Sequence, residues 1–456
     1  MTTSLVTEHE HFASLASEML ERAKSLGATE ADVLVAEGDS VSVQVRLSEV
    51  DRLEKAREKS LGLRVFFGKR SASASTSDFS KESLSRLVAD TCSLAKAVAE
   101  DEVSGLPEAH LMAQDFPDLG LYDPTTLTVD QEIELARRAE DAAMTADPRM
   151  TNSEGADCSV SQGTVLLANH HGFVGCHQSS TFSLSVSPIA GDSQNGGMQR
   201  DSWYSVKRKY HLLDSPEAIG KEAARRTLRR LGARKVTTQQ VPVVFDQEMA
   251  KSLLGHLATA VSGYSIYKGA SFLSEFLGKQ MAPEFVTVYD DGRLTDGLGS
   301  RPFDGEGLAT QKTVVMENGT LTSFLLDTYS GRKLGMKSTG NAARGVGDSP
   351  SVSTTNLHLV PGTSSPADII GSVKQGLYVT ELIGFGVNML TGDYSRGAAG
   401  FWIENGELAY PVEEITIAGN LKQMFADIEV IGNDLEFRGR AASPTLKIKE
   451  LIVAGN

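Results

Sequence analysis

The sequence predicts an α+β fold: an N-terminal region of helices and antiparallel strands, then a β-rich C-terminal domain. Three observations carry the prediction. Helical patterns bracket a run of alternating segments, and this order of helix, meander and helix recurs once before residue 232. The polar stretch ARKVTTQQ (233–240) then separates these units from a strand-rich, glycine-bearing half. That half holds two Asn-Gly pairs, at 318–319 and 405–406, the dipeptide that favours a type I′ hairpin turn. The boundaries read from these shifts are 1–110, 111–236 and 237–456.

Residues 8–26 read as an amphipathic helix. Phe12, Leu15, Ala16, Met19, Leu20 and Ala23 fall on one stripe, and Gly27 stands where a C-terminal cap belongs. Strand segments follow at 32–36, 41–47, 61–67 and 71–76. In VSVQVRL, Val41, Val43, Val45 and Leu47 share a face, the period-two mark of a half-buried strand. Helical spacing returns at 80–100 through Leu84, Leu87, Val88, Leu94 and Val98.

The second round has a helix at 129–146, strands at 164–168, 172–176, 181–187 and 203–209, and a helix at 215–231 closed by Gly232. The recurrence is one of element order rather than residue identity. It fits a duplication and an ordinary α+β arrangement alike. Beyond 240, a strand at 241–245 precedes a helix at 247–262, whose stripe is Met249, Leu253, Leu257 and Val261. Strands are expected at 285–289, 313–317, 321–326, 356–360, 377–382, 400–404, 408–412, 414–418, 428–431 and 446–453.

Composition excludes several classes. The 456 residues are 40% hydrophobic and 23% charged, enough apolar content for a core and too much for wholesale disorder. No run of about 18 apolar residues is present, so no membrane-spanning helix is expected. The start, MTTSLVTEHEHFASL, has neither a basic nor an apolar leader region, and a cytoplasmic location is expected. Three cysteines, Cys92, Cys158 and Cys176, fit a reducing compartment. Asp and Glu number 59 against 44 Lys and Arg, a formal charge of −15, so direct nucleic-acid binding is not expected. The basic run Arg225, Arg226, Arg229, Arg230, Arg234 and Lys235 falls largely in the last turns of a helix, where cations complement the dipole.

The search for chemistry is mostly negative. The one His-Glu dipeptide, His9-Glu10, has no second histidine at helical spacing, so no zincin helix is present. A nucleophile elbow is absent, with a near miss at 191–195, and so is a Walker A loop. His170, His171, Cys176 and His177 are the nearest approach to a metal cluster, but neighbours on a strand point to opposite faces. His256 lies off the Leu253/Leu257 stripe and reads as a partly exposed, satisfied side chain. The loop GLGSRPFDGEG (297–307) sets Arg301, Asp304 and Glu306 on glycine-hinged backbone. Two carboxylates so spaced can bind a cation or a peptide amine; equally, Arg301 and Asp304 can pair and staple the loop.

Several blocks resemble the TldE/PmbA family: FLLDTYSGRKLGMKSTGNAAR (324–344), LLGHLATAVSG (253–263), GLGSRPFDGEG (297–307), MLTGDYSRGAAGFWIENGELAYPVEEITIAGNL (389–421) and GNDLEFRG (432–439). The resemblance spreads over the whole chain and is densest from 241 onward. It implies the zinc-free subunit of the two-subunit TldD/TldE metalloprotease. TldD-type chains carry an HExxxH helix and a later cysteine that hold zinc. Through the shared Gly269 and Ser271, the two zinc histidines fall here on Leu254 and Thr259, the glutamate on Gly255, and the cysteine near 440–443, where RAAS has none. Such side chains supply neither imidazole nitrogen nor general base.

The resemblance therefore implies a non-catalytic chain with no cofactor of its own, zinc belonging to a TldD-type partner. The expected partners are that subunit in a heterodimer, a second copy of this chain when it is absent, and a peptide substrate. The implied activity of the pair is cleavage of unfolded or extended peptides, including peptide-antibiotic precursors and an antitoxin. Two other readings stand beside it: a metal-independent hydrolase built on Arg301, Asp304 and Glu306, and a gyrase-linked regulatory binding protein. The polar loop residues Tyr329, Arg332, Asn341 and Arg344 join Arg301, Asp304 and Glu306 as substrate or interface candidates, because core burial does not demand them. An internal network that fixes the loops is the alternative.

Overall fold

A computed structural model describes residues 2–191 and 197–455, with side chains from Glu10 onward. The near miss at 191–195 lies, from 192 on, outside the described residues, as does the side chain of His9.

The chain opens with α1 (Thr2–Ser25), β1 (Glu30–Arg46), β2 (Glu49–Phe67), β3 (Arg70–Thr76) and α2 (Lys81–Ala97). Then come α3 (Val129–Met144), β4 (Met150–Asn169), β5 (Val174–Gly191), β6 (Met198–Arg200), β7 (Trp203–Lys207) and α4 (Pro216–Leu228). The two meanders form one antiparallel sheet ordered β3-β2-β1-β4-β5, with β6 and β7 both on β5. Their joint is the β1–β4 ladder, from Asp32↔Asn169 to Val45↔Ala156. Alternation decides what each face meets. Val33, Val35, Leu61, Leu63 and Val65 lie in the core under α1 and α2. Val43, Val45, Cys158, Leu184 and Val186 lie in the core with α3 and α4. The intervening positions Asp32, Leu34 and Arg64 face the other way. There, Leu34 and Leu167 join Phe173, Phe303 and Leu308 in a small core that welds the sheet to the C-terminal domain.

Two expectations fail here for physical reasons. Leu47 does not share the strand face: it sits at φ 50° in the β1–β2 turn, where its N–H and that of Ser48 donate to Glu140 at 3.0 and 2.9 Å. The strand β2 begins at Glu49, twelve residues before the expected segment, because EVDRLEKAREKS pairs along β1 while staying exposed and so shows no apolar alternation.

The C-terminal domain runs β8 (Gln239–Phe245), α5 (Gln247–Val261), α6 (Gly263–Tyr267), β9 (Val288–Asp291), β10 (Lys312–Glu317), β11 (Thr320–Leu321) and α7 (Thr328–Leu334). It continues with β12 (Ala342–Ala343), β13 (Ser351–Val352), β14 (Leu357–Leu359), α8 (Pro366–Gly371), β15 (Gln375–Ile383), β16 (Asp393–Glu404) and β17 (Glu407–Asn420). It ends with α9 (Leu421–Ala426), β18 (Ile428–Ile431), β19 (Ala441–Ala442) and β20 (Leu446–Ala454). The strands β8, β15, β16, β17 and β20 close into a ring, since β20 pairs with both β17 and β8. A second sheet is ordered β11-β10-β9-β14-β19. The α5 stripe Leu253, Leu257 and Val261 is buried in the core shared with Val243, Phe245, Trp402 and Ile417. Both Asn-Gly pairs take positive φ at both residues, as the type I′ turn requires.

The apolar run 321–326 is a strand only at its first residue. Leu325 instead makes a single bridge to Ser262, tying the α5–α6 junction. The segments expected at 408–412 and 414–418 are one bulged strand, β17, with Glu414 at φ 52°. Among the described residues no ladder joins a strand before 236 to one after it; single bridges link Met112 to Leu308 and Arg234 to Val412. No described helix is long and apolar enough to cross a membrane.

Candidate functional site

A cavity of about 760 Å³ lies at the junction of the two regions. One wall comes from β2 and the loop after α2, through Arg64, Phe66 and Asp101. The other comes from the end of α5, from α6 and from α7, through Thr259, Tyr264, Tyr267 and Tyr329. The α6–α7 contact is close: a Cβ on Gly263 would meet Ser330 Oγ at 2.4 Å, so glycine is required there. Asp327 caps α7, accepting from Ser330 N at 2.8 Å.

The structure divides the sequence candidates. Asp304 is fully buried and committed to backbone: Oδ1 accepts from Glu306 N (2.9 Å) and Leu308 N (3.0 Å), Oδ2 from Ala342 N (3.1 Å). The expected Arg301–Asp304 staple is therefore not what holds the loop. Arg301 Nε and Nη2 are buried with no hydrogen-bond partner among the described residues. Burial pushes the Asp304 carboxyl up from its ordinary range, against Arg301. Glu306 reaches the cavity, while its Oε2 accepts from Thr328 N at 2.8 Å. Burial, and then the Asp304 charge, push Glu306 up to about 7, with Arg64 opposing.

The other candidates fix loops. Arg332 donates to the carbonyls of Val103 (3.1 Å), Gly105 (3.1 Å) and Leu106 (2.6 Å), clamping the cavity wall. Tyr329 Oη donates to Asp101 at 2.6 Å, and Lys333 pairs with the same carboxylate at 3.0 Å. Asn341 donates to Asp290 at 2.6 Å and to Ser353 O at 3.1 Å. Arg344 reaches across to Asp32 on β1, which also holds Arg64 through Nε (3.0 Å) and Nη2 (2.5 Å).

The remaining sequence features are also taken up by contacts within the chain. Arg226 pairs with Asp201 (3.3 Å), Arg230 with Glu381 and Lys235 with Glu414 (3.0 Å), and Arg234 lies 3.6 Å over the Tyr410 ring. Cys176 packs against the core under α1 and α2 while His177 meets the Phe303 ring at 5.3 Å, so the two do point apart. Burial, then Arg301 and Arg208, lower His177 to about 4. His256 is not satisfied as expected: Nε2 is buried without a partner among the described residues, beside the Tyr394 ring at 5.9 Å.

Sequence reasoning missed Asp32, Arg64, Asp101, Tyr264 and Tyr267. The first three are ordinary polar strand and loop text, and only the fold brings them to the junction. It also missed an apolar excursion from the last residue of β15 into the loop to β16, where Ile383, Phe385 and Leu390 are exposed, Phe385 to 99%.

The matched domains place this architecture in the class of PmbA/TldA metallopeptidases. Residues 31–95, 122–231 and 238–455 match the family models for its domain 1, central domain and C-terminal domain. The chain is 41% identical over 425 residues to the metalloprotease PmbA of Escherichia coli O157:H7, covering 93% of this chain and 92% of that one. It is 37% identical to a metalloprotease PmbA homolog of Haemophilus influenzae, over 100% of this chain and 98% of the other. The fold matches TldE from Thermococcus kodakarensis with a TM-score of 0.84 at 21% identity, covering 96% and 99% of the two chains. This chain belongs to the PmbA/TldE family.

The residues onto which the resemblance sets the zinc ligands of TldD-type chains are not of metal-ligating types. Leu254 is buried in the core, Gly255 has no side chain, and the Thr259 hydroxyl donates to the Gly255 carbonyl at 3.0 Å. Among the described residues no group of three His, Cys, Asp or Glu converges as a metal ion requires.

Proposed function

We propose that this chain is the non-catalytic subunit of a two-subunit metalloprotease, paired with a zinc-bearing TldD-type chain and acting on unfolded or extended peptides. The observation that carries the reading is the junction cavity. Thr259 lines it at the position where the resemblance sets a zinc histidine, so the cavity is the counterpart of a peptidase site without its ligands. Peptide-antibiotic precursors and an antitoxin are substrates of the kind such a pair would process. The exposed apolar loop at 383–390 suits a protein partner, since three large apolar side chains on one excursion exceed scattered surface hydrophobics.

A stand-alone hydrolase on Arg301, Asp304 and Glu306 is less well supported, because both Asp304 oxygens already accept from backbone amides. The test is co-expression with the TldD-type chain of the same host, followed by an extended-peptide cleavage assay. Cleavage that needs both chains and stops with a chelator is expected. Cleavage by this chain alone that resists the chelator would overturn the reading.

A further inference from the structure

Four charged side chains line the junction cavity: Arg64, Asp101, Glu306 and Asp327. Their hydrogen bonds are unequal. Asp101 is engaged by Tyr329 and Lys333. Arg64 spends Nε and Nη2 on Asp32. Asp327 uses Oδ1 to cap α7, and Oδ2 has no hydrogen-bond partner among the described residues. Glu306 accepts from Thr328 at Oε2, and Oε1 likewise has no partner among the described residues. Both of these side chains are only 4% exposed. Two side chains more than nine-tenths buried thus each keep one carboxylate oxygen open to the cavity, free to accept from a cationic group.

The cavity mouth is aromatic. The Tyr264 and Tyr267 rings lie 5.4 Å apart, and Tyr267 and Tyr329 6.0 Å apart. Tyrosine faces attract cations and pack alkyl stems. This edge already does so within the chain: Lys268 lies 5.5 Å from the Tyr267 ring and Lys333 5.3 Å from the Tyr329 ring. The volume falls in the range of about 300–1,000 Å³ usual for ligand sites.

We infer that the cavity binds the cationic group of a peptide, a lysine ammonium or a free N-terminal ammonium, between Glu306 and Asp327, with Tyr264 and Tyr267 packing its stem. That the ligand is a peptide rests on the proposed function; the preference for a cation rests on the cavity alone.

Charge linkage gives the site a signature. The charged groups that act on Glu306 are Asp304 on its own loop, Arg64 on β2 and Arg344 beyond β12, and Asp327 at the start of α7 lines the same cavity. Glu306, raised to about 7, is part-protonated near neutrality. A cation favours its ionised form, so binding releases a proton and tightens as pH rises.

The test is titration calorimetry on the isolated full-length chain with three alanine-based hexapeptides. One is blocked at both ends with a central lysine, one is blocked with norleucine in its place, and one is the norleucine peptide with a free N-terminus. At least one cationic peptide is expected to bind about tenfold tighter than the blocked norleucine peptide. Which one does so identifies the source of the ammonium. The preference should grow from about pH 6 to about pH 8. Glu306→Gln should remove both preference and pH dependence. Tyr264→Ala changes a residue 60% exposed, so the fold should hold, and should weaken the cationic peptide selectively. Equal binding of all three peptides, no binding of any, or a preference that survives both substitutions would overturn the inference. No TldD-type chain is present in this measurement, so its failure leaves the pairing untouched, and failure of the pairing leaves this result standing.

Discussion

Arg344 Nη1 lies 2.7 Å from Asp32 Oδ1, and the two side chains are 3% and 2% exposed. The pair joins the C-terminal domain to the first strand of the N-terminal sheet across 312 positions of sequence. Asp32 also takes both bonds from Arg64, so one carboxylate neutralises two guanidinium groups. Burial alone would raise its pKa, but Arg344 and then Arg64 outweigh it and hold the carboxyl below its ordinary range.

Asp32→Asn removes the one carboxylate that is hydrogen-bonded to both Arg64 and Arg344, leaving two buried cations with the part-protonated Glu306 nearby. Breaking a buried pair in this way costs about 3–5 kcal/mol. A lower denaturation midpoint is expected, with both regions loosening together. An unchanged midpoint would show that the charge triad does not hold the junction.

The two buried carboxyl systems give opposite pH effects in different windows. Asp32 is depressed, so its contribution is present above the unfolded carboxyl value of 3.8 and is lost as pH falls through the folded one. Glu306 is raised from 4.5 to about 7, so the folded state is penalised as pH rises across that interval. The penalty approaches about 3 kcal/mol as an upper bound and is shared with Asp304, which titrates with it. Glu306→Gln keeps an acceptor for Thr328 N and removes the charge. Relative to the native chain it should gain stability from about pH 5 to about pH 8, measured by denaturant unfolding at each. A constant difference across that range would contradict the raised value.

Arg332→Ala strips three carbonyls of their donor, at Val103, Gly105 and Leu106. Leaving such acceptors unmet costs about 1–3 kcal/mol. The expected outcome is faster amide exchange and proteolysis confined to 101–108. Arg332→Lys should recover only part of the protection, because an ammonium cannot reproduce the guanidinium fork. Exchange that rises throughout the chain would instead make Arg332 a determinant of the whole fold.

Gly299 packs against backbone: a Cβ there would meet Thr355 O at 1.9 Å. Its N–H also donates to Asn356 Oδ1 at 2.8 Å. Gly299→Ala must displace the 297–301 loop, at about 1–3 kcal/mol for overpacking. A wild-type midpoint in this variant would mean that the loop moves freely.

What could be read from the sequence was local. The stripes of α1 and α5, the first part of the α2 stripe (Leu94 and Val98 are exposed instead) and the Asn-Gly hairpins declare themselves through spacing that any one segment contains. The short α7 does not: TYSGRKL is too brief for an i, i+4 stripe and is set by the Asp327 cap and the Gly335 stop. Charge-rich β2 hides for a related reason, since pairing rather than burial makes it a strand. The site was half legible. Glu306 and Tyr329 stood out as polar loop text. Asp32 and Arg64, however, acquire their meaning only when β1 and β2 set them opposite each other in one ladder and Arg344 arrives from the far domain. Tyr264 and Tyr267 lie just past the helix expected at 247–262, on the short α6 that no apolar spacing announces.

The proposed pairing with a TldD-type chain has a specific handle in Phe385. Its side chain is 99% exposed, with Ile383 and Leu390 exposed beside it. The loop that carries it is nonetheless fixed: Ser395 N donates to Gly386 O at 2.7 Å, Asn388 N to Asp393 O at 2.8 Å, and Val387 bridges Tyr394. A rigid loop offering an unpacked aromatic loses little entropy on binding, which is how interface anchors act. Phe385→Asp removes no contact in the free chain, so its stability should change by no more than about 0.5 kcal/mol. Association with the TldD-type subunit should weaken by about tenfold or more, since truncated anchors cost about 2 kcal/mol or more. Affinity measured by titration of the two purified chains decides the matter, with calorimetric melting of the free variant as the control. Unchanged affinity in a normally folded variant would remove the 383–390 loop from the interface.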